Sequence, residues 1–373
     1  MATPPRAPGR RGPVGGPGRP GHGGRRRTGP RRRWPRPRPG HLLEAAGSVA
    51  LAAGLLLWAL PAVAGADWGA IGAAVGQLTA LEVAVLVVVW QLGLVVHTVA
   101  LAAAMPGLSH RRAYFLNLTG SAVSNVLPLG GAAGTALNYT TARAWGFRTD
   151  AFLRWALVTN IWDTLGKLVV PGVALVWLAL EGTPAPRVVT RAALGAVVLL
   201  AVLVVVTWLA LHRDVVARPL GRLLDWSVAR VARSARAEDT GYATEALRFR
   251  RDTAALVARA WVPLTVGKAG YAALQAFLLW LCLRWLGGDV SPAVAFAAYA
   301  AERVLSLAVL TPGGSGVVEV GMTGVLVAFG VEPAVAAAAV LVYRALVVGM
   351  EVPTGGAAMG WWLVSRRRSQ GRP

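Results

Sequence analysis

The sequence predicts an all-α, polytopic membrane protein. Hydrophobic residues make up 55% of the 373-residue chain, charged residues only 15%, and several apolar runs exceed the roughly 18 residues that suggest a transmembrane helix. Basic residues gather between these runs, as expected for cytoplasmic loops. Two apolar stretches are interrupted by proline and glycine, which predicts broken helices in addition to continuous spans.

The formal net charge of +21 does not indicate nucleic-acid binding. Residues 1–41 carry twelve Arg and no Asp or Glu, so more than half of the excess lies in one segment. This segment also contains ten Pro and ten Gly, a composition that predicts a disordered cytoplasmic tail. Its expected role is to set topology; contact with anionic lipid head groups is the alternative. The 365–373 tail, with Arg366, is predicted to be cytoplasmic as well.

Between these tails, residues 42–364 form the predicted transmembrane domain, with about six full spans. The basic 212–260 segment is a predicted cytoplasmic loop, either an amphipathic helix on the membrane surface or a solvated helical linker. The predicted spans are Leu42–Ala64, Leu78–Met105, Phe152–Leu180, Val188–Leu211, Trp261–Leu286 and Ala334–Val364.

Two further segments are predicted to be broken, re-entrant hairpins. Ala113–Tyr139 has basic residues on both sides, which requires an even number of crossings, but about 27 residues are too few for two spans. We therefore expect a hairpin that turns near Pro128. The second hairpin, Pro292–Gly330, is broken at 312–316 and enters from the opposite face. Two interrupted segments in corresponding halves predict an inverted repeat with a site near the midplane.

Ionisable side chains inside a bilayer are costly, so each is a functional candidate. The mid-span set is His97, Asp163, Lys167, Lys268, Glu302, Arg303, Glu319, Arg344 and Glu351.

Some members of this set have a structural alternative. Asp163 and Lys167 have i, i+4 spacing and can neutralise each other. Glu319 follows the glycine break, where it is either a helix cap or part of a binding site. Adjacent Glu302 and Arg303 should point to different sides, so they cannot form a simple helical pair, and we expect one of them to find its partner elsewhere, across the bundle. Arg344 is the best candidate to hold an anion or to pair with Glu319.

Unwound glycine backbone can offer free N–H groups to a phosphate. With the buried basic residues, this predicts an anionic phosphate head group as ligand. The predicted substrate-binding residues are Arg303, Glu319, Arg344, Pro312, Gly313, Gly314, Gly316, Asn125, Pro128, Gly130, Gly131, Lys167 and Lys268.

Motifs of soluble enzymes do not occur in the sequence. It has no Walker loop, no HExxH and no Gly-x-Ser-x-Gly, and its single cysteine, Cys282, excludes an intrachain disulfide. We therefore expect no cofactor, no metal and no catalytic residues, although the enzyme question stays open. The Arg, Ala, Gly and Pro bias indicates a GC-rich bacterial genome.

The run TPGGSGVVEVGMTGVLVAFGV (311–331), followed by Tyr343-Arg344, resembles the membrane domain of lysylphosphatidylglycerol synthases and related stand-alone flippase-like proteins. The segment SNVLPLGGAAGTALNY (124–139) is similar to that family's first glycine-proline segment. It departs from many relatives at 132–135, where Ala-Ala-Gly-Thr replaces an expected Glu or Arg. The chain ends soon after its last span, so the family's soluble aminoacyl-transferase domain, and with it synthase activity, is expected to be absent.

The resemblance implies translocation of a phospholipid or a polyprenyl-phosphate-linked intermediate across the bacterial cytoplasmic membrane. The alternatives are an integral-membrane enzyme acting on a lipid head group and an accessory subunit of envelope lipid or glycolipid assembly that recruits a partner enzyme. Mid-span rather than surface placement of the ionisable residues favours transport. Both termini are predicted to be cytoplasmic.

Overall fold

The computed structural model describes residues 47, 50–127, 130–212, 242–307 and 311–370. The described residues fold as α-helices joined by short turns, in agreement with the predicted all-α class. In chain order the helices are α1 (Ala50–Ala64), α2 (Trp68–Val75), α3 (Ala80–Ala104), α4 (His110–Val126), α5 (Gly130–Ala144), α6 (Thr149–Leu180), α7 (Arg187–His212), α8 (Tyr242–Trp285), α9 (Pro292–Leu305), α10 (Val317–Ala328), α11 (Pro333–Arg344) and α12 (Glu351–Gln370).

Local sequence signals account for several helix ends. Thr79 caps α3 in a reciprocal capping box with Glu82, and Ser109 and Ser291 accept hydrogen bonds from the first turns of α4 and α9. Gly65 ends α1 in the left-handed conformation, and α2 then leaves at 88° to α1. Short polar and glycine-containing turns therefore separate the apolar helices.

Four segments are long and apolar enough to cross a membrane: α3, α6, residues 248–285 of α8 and the continuous 333–366 segment. The bent pair α1 and α2 would make a fifth. The protein is thus a polytopic helical membrane protein, while the count of six full spans stays a prediction.

Both predicted hairpins are present as pairs of short helices. α4 and α5 pack against each other around residues 127–129, and α9 and α10 pack around the break before Val317. Pro128 itself lies outside the described residues. The helix that contains the predicted Trp261–Leu286 span is longer than the span, because α8 runs from Tyr242 to Trp285. Residues 242–260 of the predicted loop are therefore helical. The rest of the predicted 212–260 loop, residues 213–241, lies outside the described residues.

Glycines allow the closest helix contacts. A Cβ on Gly267 of α8 would lie 2.5 Å from the Ala100 nitrogen of α3, and one on Gly355 of α12 would lie 2.5 Å from the Leu118 carbonyl of α4. Small residues at helix crossings are typical of membrane proteins, where close backbone approach drives association. These contacts hold α3 against α8 and α12 against α4.

Candidate functional site: a buried polar network where the two hairpins meet

The Pro-Gly-Gly segment forms a tight turn between α9 and α10. Gly313, Gly314 and Gly316 have φ values of 60°, 72° and 88°, a conformation that other residues rarely adopt. The Gly314 amide donates to the Thr311 carbonyl at 3.0 Å, and the Gly316 amide donates to Glu319 Oε2 at 2.6 Å. The predicted break is therefore confirmed, but these two amides are used within the turn and are not free for a ligand.

Arg344 holds this turn from α11. Its Nε donates to Glu319 Oε1 at 2.8 Å, its Nη1 to Glu302 Oε1 at 3.2 Å and its Nη2 to the Gly313 carbonyl at 2.7 Å. The Arg344 side chain is 7% exposed. Arg344 is thus the predicted partner of Glu319, and each of its three nitrogens already has a protein acceptor. Glu319 acts both as a helix cap and as half of an ion pair.

Glu302 accepts three hydrogen bonds in the same place. Besides the Arg344 bond, it accepts from the Tyr343 hydroxyl at 2.6 Å and from Arg303 Nη2 at 2.7 Å. Contrary to the expectation that adjacent Glu302 and Arg303 point to different sides, their side chains contact each other directly. The expected partner across the bundle is confirmed, and it is Arg344.

Arg303 has more donor capacity left than Arg344. Its guanidinium carbon lies 4.9 Å from the centroid of the Tyr299 ring, a cation–π distance. Its Nε is buried and has no hydrogen-bond partner among the described residues. An unsatisfied buried donor is costly, so it marks a place where a further acceptor would be favourable.

A second charged group joins α6 to α8. Lys167 Nζ lies 3.1 Å from Asp163 Oδ2, the predicted i, i+4 pair, and Lys268 Nζ of α8 lies 3.5 Å from Asp163 Oδ1. Two lysines share one carboxylate, which leaves one excess positive charge. Asp163 is near the middle of α6, yet its side chain is 42% exposed. Arg303 is close enough to interact electrostatically with both Asp163 and Lys268.

The first hairpin reaches the network through Asn125, in the last turn of α4. Its Nδ2 donates to Glu351 Oε2 of α12 at 3.1 Å. A Cβ on Gly313 would lie 3.3 Å from Asn125 Oδ1, so the ends of the two hairpins are in contact. The structure therefore brings together three of the predicted binding residues, Asn125, Gly313 and Arg344.

The glycines of the first hairpin have a different role. A Cβ on Gly130 would overlap the Ser124 carbonyl, and one on Gly134 would overlap Ser124 Oγ and lie 2.5 Å from the Gly120 carbonyl. Gly130 is buried and lets α5 approach α4 closely. Gly131 is exposed and has open space around it. Neither contacts the charged network.

The predicted binding set omits three residues that the structure places in this network: Glu302, Tyr343 and Glu351. The two glutamates belong to the mid-span ionisable set, which was selected because charged side chains inside a membrane are costly. Within the described part of the chain, no three His, Cys, Asp or Glu residues are grouped so that they could hold a metal ion.

Buried ion pairs between interrupted apolar helices are the features of an integral membrane protein that contains broken helices. The family model for the lysylphosphatidylglycerol synthase transmembrane region matches residues 46–352. The chain therefore belongs to this family, a membrane domain associated with lipid handling. Comparison with curated proteins gives no significant match.

Proposed function

We propose that the protein moves a lipid with an anionic phosphate head group across the membrane. The observation that carries the proposal is the contact between the ends of two interrupted helical hairpins, at Asn125 and Gly313, beside a network of buried ion pairs. Irregular backbone at membrane depth is tolerated only where protein or water surrounds it. Paired broken helices that meet in the interior are typical of transport sites. The lipid association of the family supports a lipid as the transported molecule.

The charges favour a particular location for the phosphate. Lys167 and Lys268 bring two positive charges against the single negative charge of Asp163, and Arg303 lies nearby with an unsatisfied Nε. Excess charge inside a bilayer is costly, and an anion offsets it. We assign phosphate binding to these three basic residues. Arg344, whose nitrogens all have protein acceptors, has the role of holding the Pro-Gly-Gly turn.

In this proposal the exposed part of Asp163 lines the path of the head group. A carboxylate that faces hydrocarbon at mid-span would be expensive, whereas one that faces a water-filled groove is not. Head-group passage follows if the two hairpins, as halves of an inverted repeat, open alternately to the two sides. The basic segments 1–41 and 366–368 support cytoplasmic termini in a bacterial cytoplasmic membrane.

Reconstitution tests the proposal. The full chain is placed in liposomes that contain a fluorescent phosphatidylglycerol, and the outer leaflet is bleached with a membrane-impermeant reductant. We expect faster loss of inner-leaflet signal than in protein-free liposomes. Lys268→Gln should slow it by roughly tenfold or more, because a charge-assisted hydrogen bond contributes about 1.5–3 kcal/mol. Arg284→Gln, an exposed charge at the end of α8, is the matched control and should behave as wild type.

A labelled lipid without phosphate should not be moved faster than in protein-free liposomes. Wild-type rates equal to those of empty liposomes, or to those of Lys268→Gln, would refute the proposal. A chemically altered lipid in the recovered vesicles would instead support the enzymatic alternative.

A further inference from the structure

Three glutamates are buried where the hairpins meet, and one of them differs from the others. Glu302 is paired with Arg303 and Arg344, and Glu319 is paired with Arg344. Glu351 is 5% exposed, but its side-chain hydrogen-bond donors, the amide of Asn125 and the hydroxyl of Ser121, are both neutral. An ion pair neutralises the first two carboxylates, whereas among the described residues no cation forms an ion pair with the third.

The groups that face Glu351 confirm this difference. From α4 it faces Asn125, Ser121 and Tyr114, and from α8 it interacts with Tyr271; the two tyrosines carry no charge near neutral pH. The charged group that acts on it is Arg344, seven residues away or about 10 Å along the helix. Arg344 already contacts two other carboxylates.

The remaining cations of the same helix are more distant. Arg366–Arg368, at the far end of α12, begin fifteen residues from Glu351, or about 22 Å along the helix. A carboxylate buried without a cation is expensive in a low-dielectric interior, and the usual way to relieve that cost is to bind a proton.

Glu351 also lies at a junction between helices. It begins α12, directly after the π turn Ala345–Gly349 that separates α12 from α11. Through Asn125 it is linked to the end of the first hairpin, and Asn125 in turn packs against Gly313 of the second. The Asn125–Glu351 hydrogen bond therefore connects the contact between the hairpins to the last transmembrane segment.

We propose that Glu351 is a proton-binding site that couples proton movement to lipid translocation. This inference rests on the proposed function for the lipid step, but proton binding can be tested without it. In the ionised state Glu351 accepts a charge-assisted hydrogen bond from Asn125, which is roughly twice as strong as a neutral one. A proton then adds to one carboxylate oxygen, an O–H bond forms and the negative charge disappears. The bond to Asn125 weakens, and the hairpin ends are released.

Infrared difference spectroscopy of the full chain in lipid nanodiscs tests proton binding directly. As the pH falls from about 8 to about 6, exposed glutamates stay ionised because they titrate near pH 4.3. We expect a carbonyl band of a protonated carboxylic acid to appear in wild type. It should be absent in Glu351→Gln and retained in Glu181→Gln, which removes an exposed carboxylate at the end of α6. A wild type without the band, or a Glu351→Gln variant that keeps it, would overturn the inference.

A proton gradient tests the coupling. In the reconstituted liposomes, a gradient of one pH unit should drive the labelled phosphatidylglycerol toward one leaflet by up to tenfold, if one proton moves with each lipid. In Glu351→Gln the lipid distribution should not respond to the gradient. A wild type that moves lipid equally with and without the gradient refutes the coupling and leaves the proposed function intact. A wild type that moves no lipid at all refutes the proposed function, and the infrared result still decides whether Glu351 binds a proton.

Discussion

Replacing Arg344 by alanine is the most direct test of the network around the Pro-Gly-Gly turn. The change removes hydrogen bonds of 2.8, 3.2 and 2.7 Å to Glu319, Glu302 and the Gly313 carbonyl. Glu302 keeps Arg303 and Tyr343, whereas Glu319 keeps only the Gly316 amide as hydrogen-bond donor among the described residues. Breaking a buried pair by removing one partner costs about 3–5 kcal/mol, because the other charge stays buried. We expect a loss of that size in the free energy of unfolding.

The assay is reversible unfolding in mixed detergent micelles, followed by tryptophan fluorescence. Arg344→Lys should lose about 1–3 kcal/mol, since one ammonium group cannot reach three acceptors that a guanidinium fork reaches together. Arg284→Ala, which truncates an exposed arginine, is the control and should stay within about 0.5 kcal/mol of wild type.

A double-mutant cycle separates the pair from the rest of the network. Arg344→Ala combined with Glu319→Gln should be less destabilised than the sum of the two single variants, with a coupling of about 0.5–3 kcal/mol. Strict additivity, or an Arg344→Ala loss below about 1 kcal/mol, would refute the argument that Arg344 neutralises Glu319 and holds the turn.

Three further changes test the packing and the contact between the hairpins, each measured as a free energy of unfolding in the same micelles. Gly267→Ala should cost about 1–3 kcal/mol because its Cβ would lie 2.5 Å from a backbone nitrogen of α3. Gly313→Ala should cost about 1–2 kcal/mol because its φ of 60° is strained for alanine; Gly166→Ala, with open space in α6, should be neutral or stabilising and serves as control for both. Asn125→Asp should place a second carboxylate against Glu351, so its destabilisation should be larger near pH 8, where both ionise, and smaller near pH 5, where the two can share a proton. A cost of Gly267→Ala or Gly313→Ala no larger than that of Gly166→Ala, or an Asn125→Asp effect independent of pH, would contradict these assignments.

The broken second hairpin could be predicted from the sequence because its signal is local. Proline and three glycines within five residues cannot continue a helix, and all three glycines adopt positive φ. The Asp163–Lys167 pair was equally local, since i, i+4 spacing places both side chains on one helix face. The Arg344–Glu319 pair followed from a different argument, that a mid-span cation needs an anion.

Pairs between distant segments could not be predicted in the same way. Lys268 joins Asp163 from another helix, and Asn125 meets Glu351 across 226 residues of chain. Both contacts depend on how each helix is rotated about its axis, which is decided by packing. Gly267 is an example: its missing side chain sets the approach of α8 to α3, yet nothing in the sequence identifies Ala100 as its neighbour.

Hydropathy predicted where an apolar span starts but not where its helix starts, for a physical reason. The apolar part of α8 starts near Trp261, but no residue before it breaks a helix, so the polar residues from Tyr242 onward continue the same helix. The point where a segment enters the bilayer and the point where a helix begins are separate properties. Sequence polarity reports the first of them only.

The bond from Arg344 to the Gly313 carbonyl has a genetic consequence. Substitution at Gly313 cannot remove a main-chain acceptor, whereas Glu302 and Glu319 can each mutate to a neutral residue. In a selection for restored function starting from Arg344→Ala, compensating changes should therefore arise at Glu319, the carboxylate left without an ion pair, rather than at Glu302, which still pairs with Arg303. No substitution at Gly313 can replace the hydrogen-bond donor that Arg344 supplied to its carbonyl. Revertants should therefore recover stability before they recover the geometry of the turn.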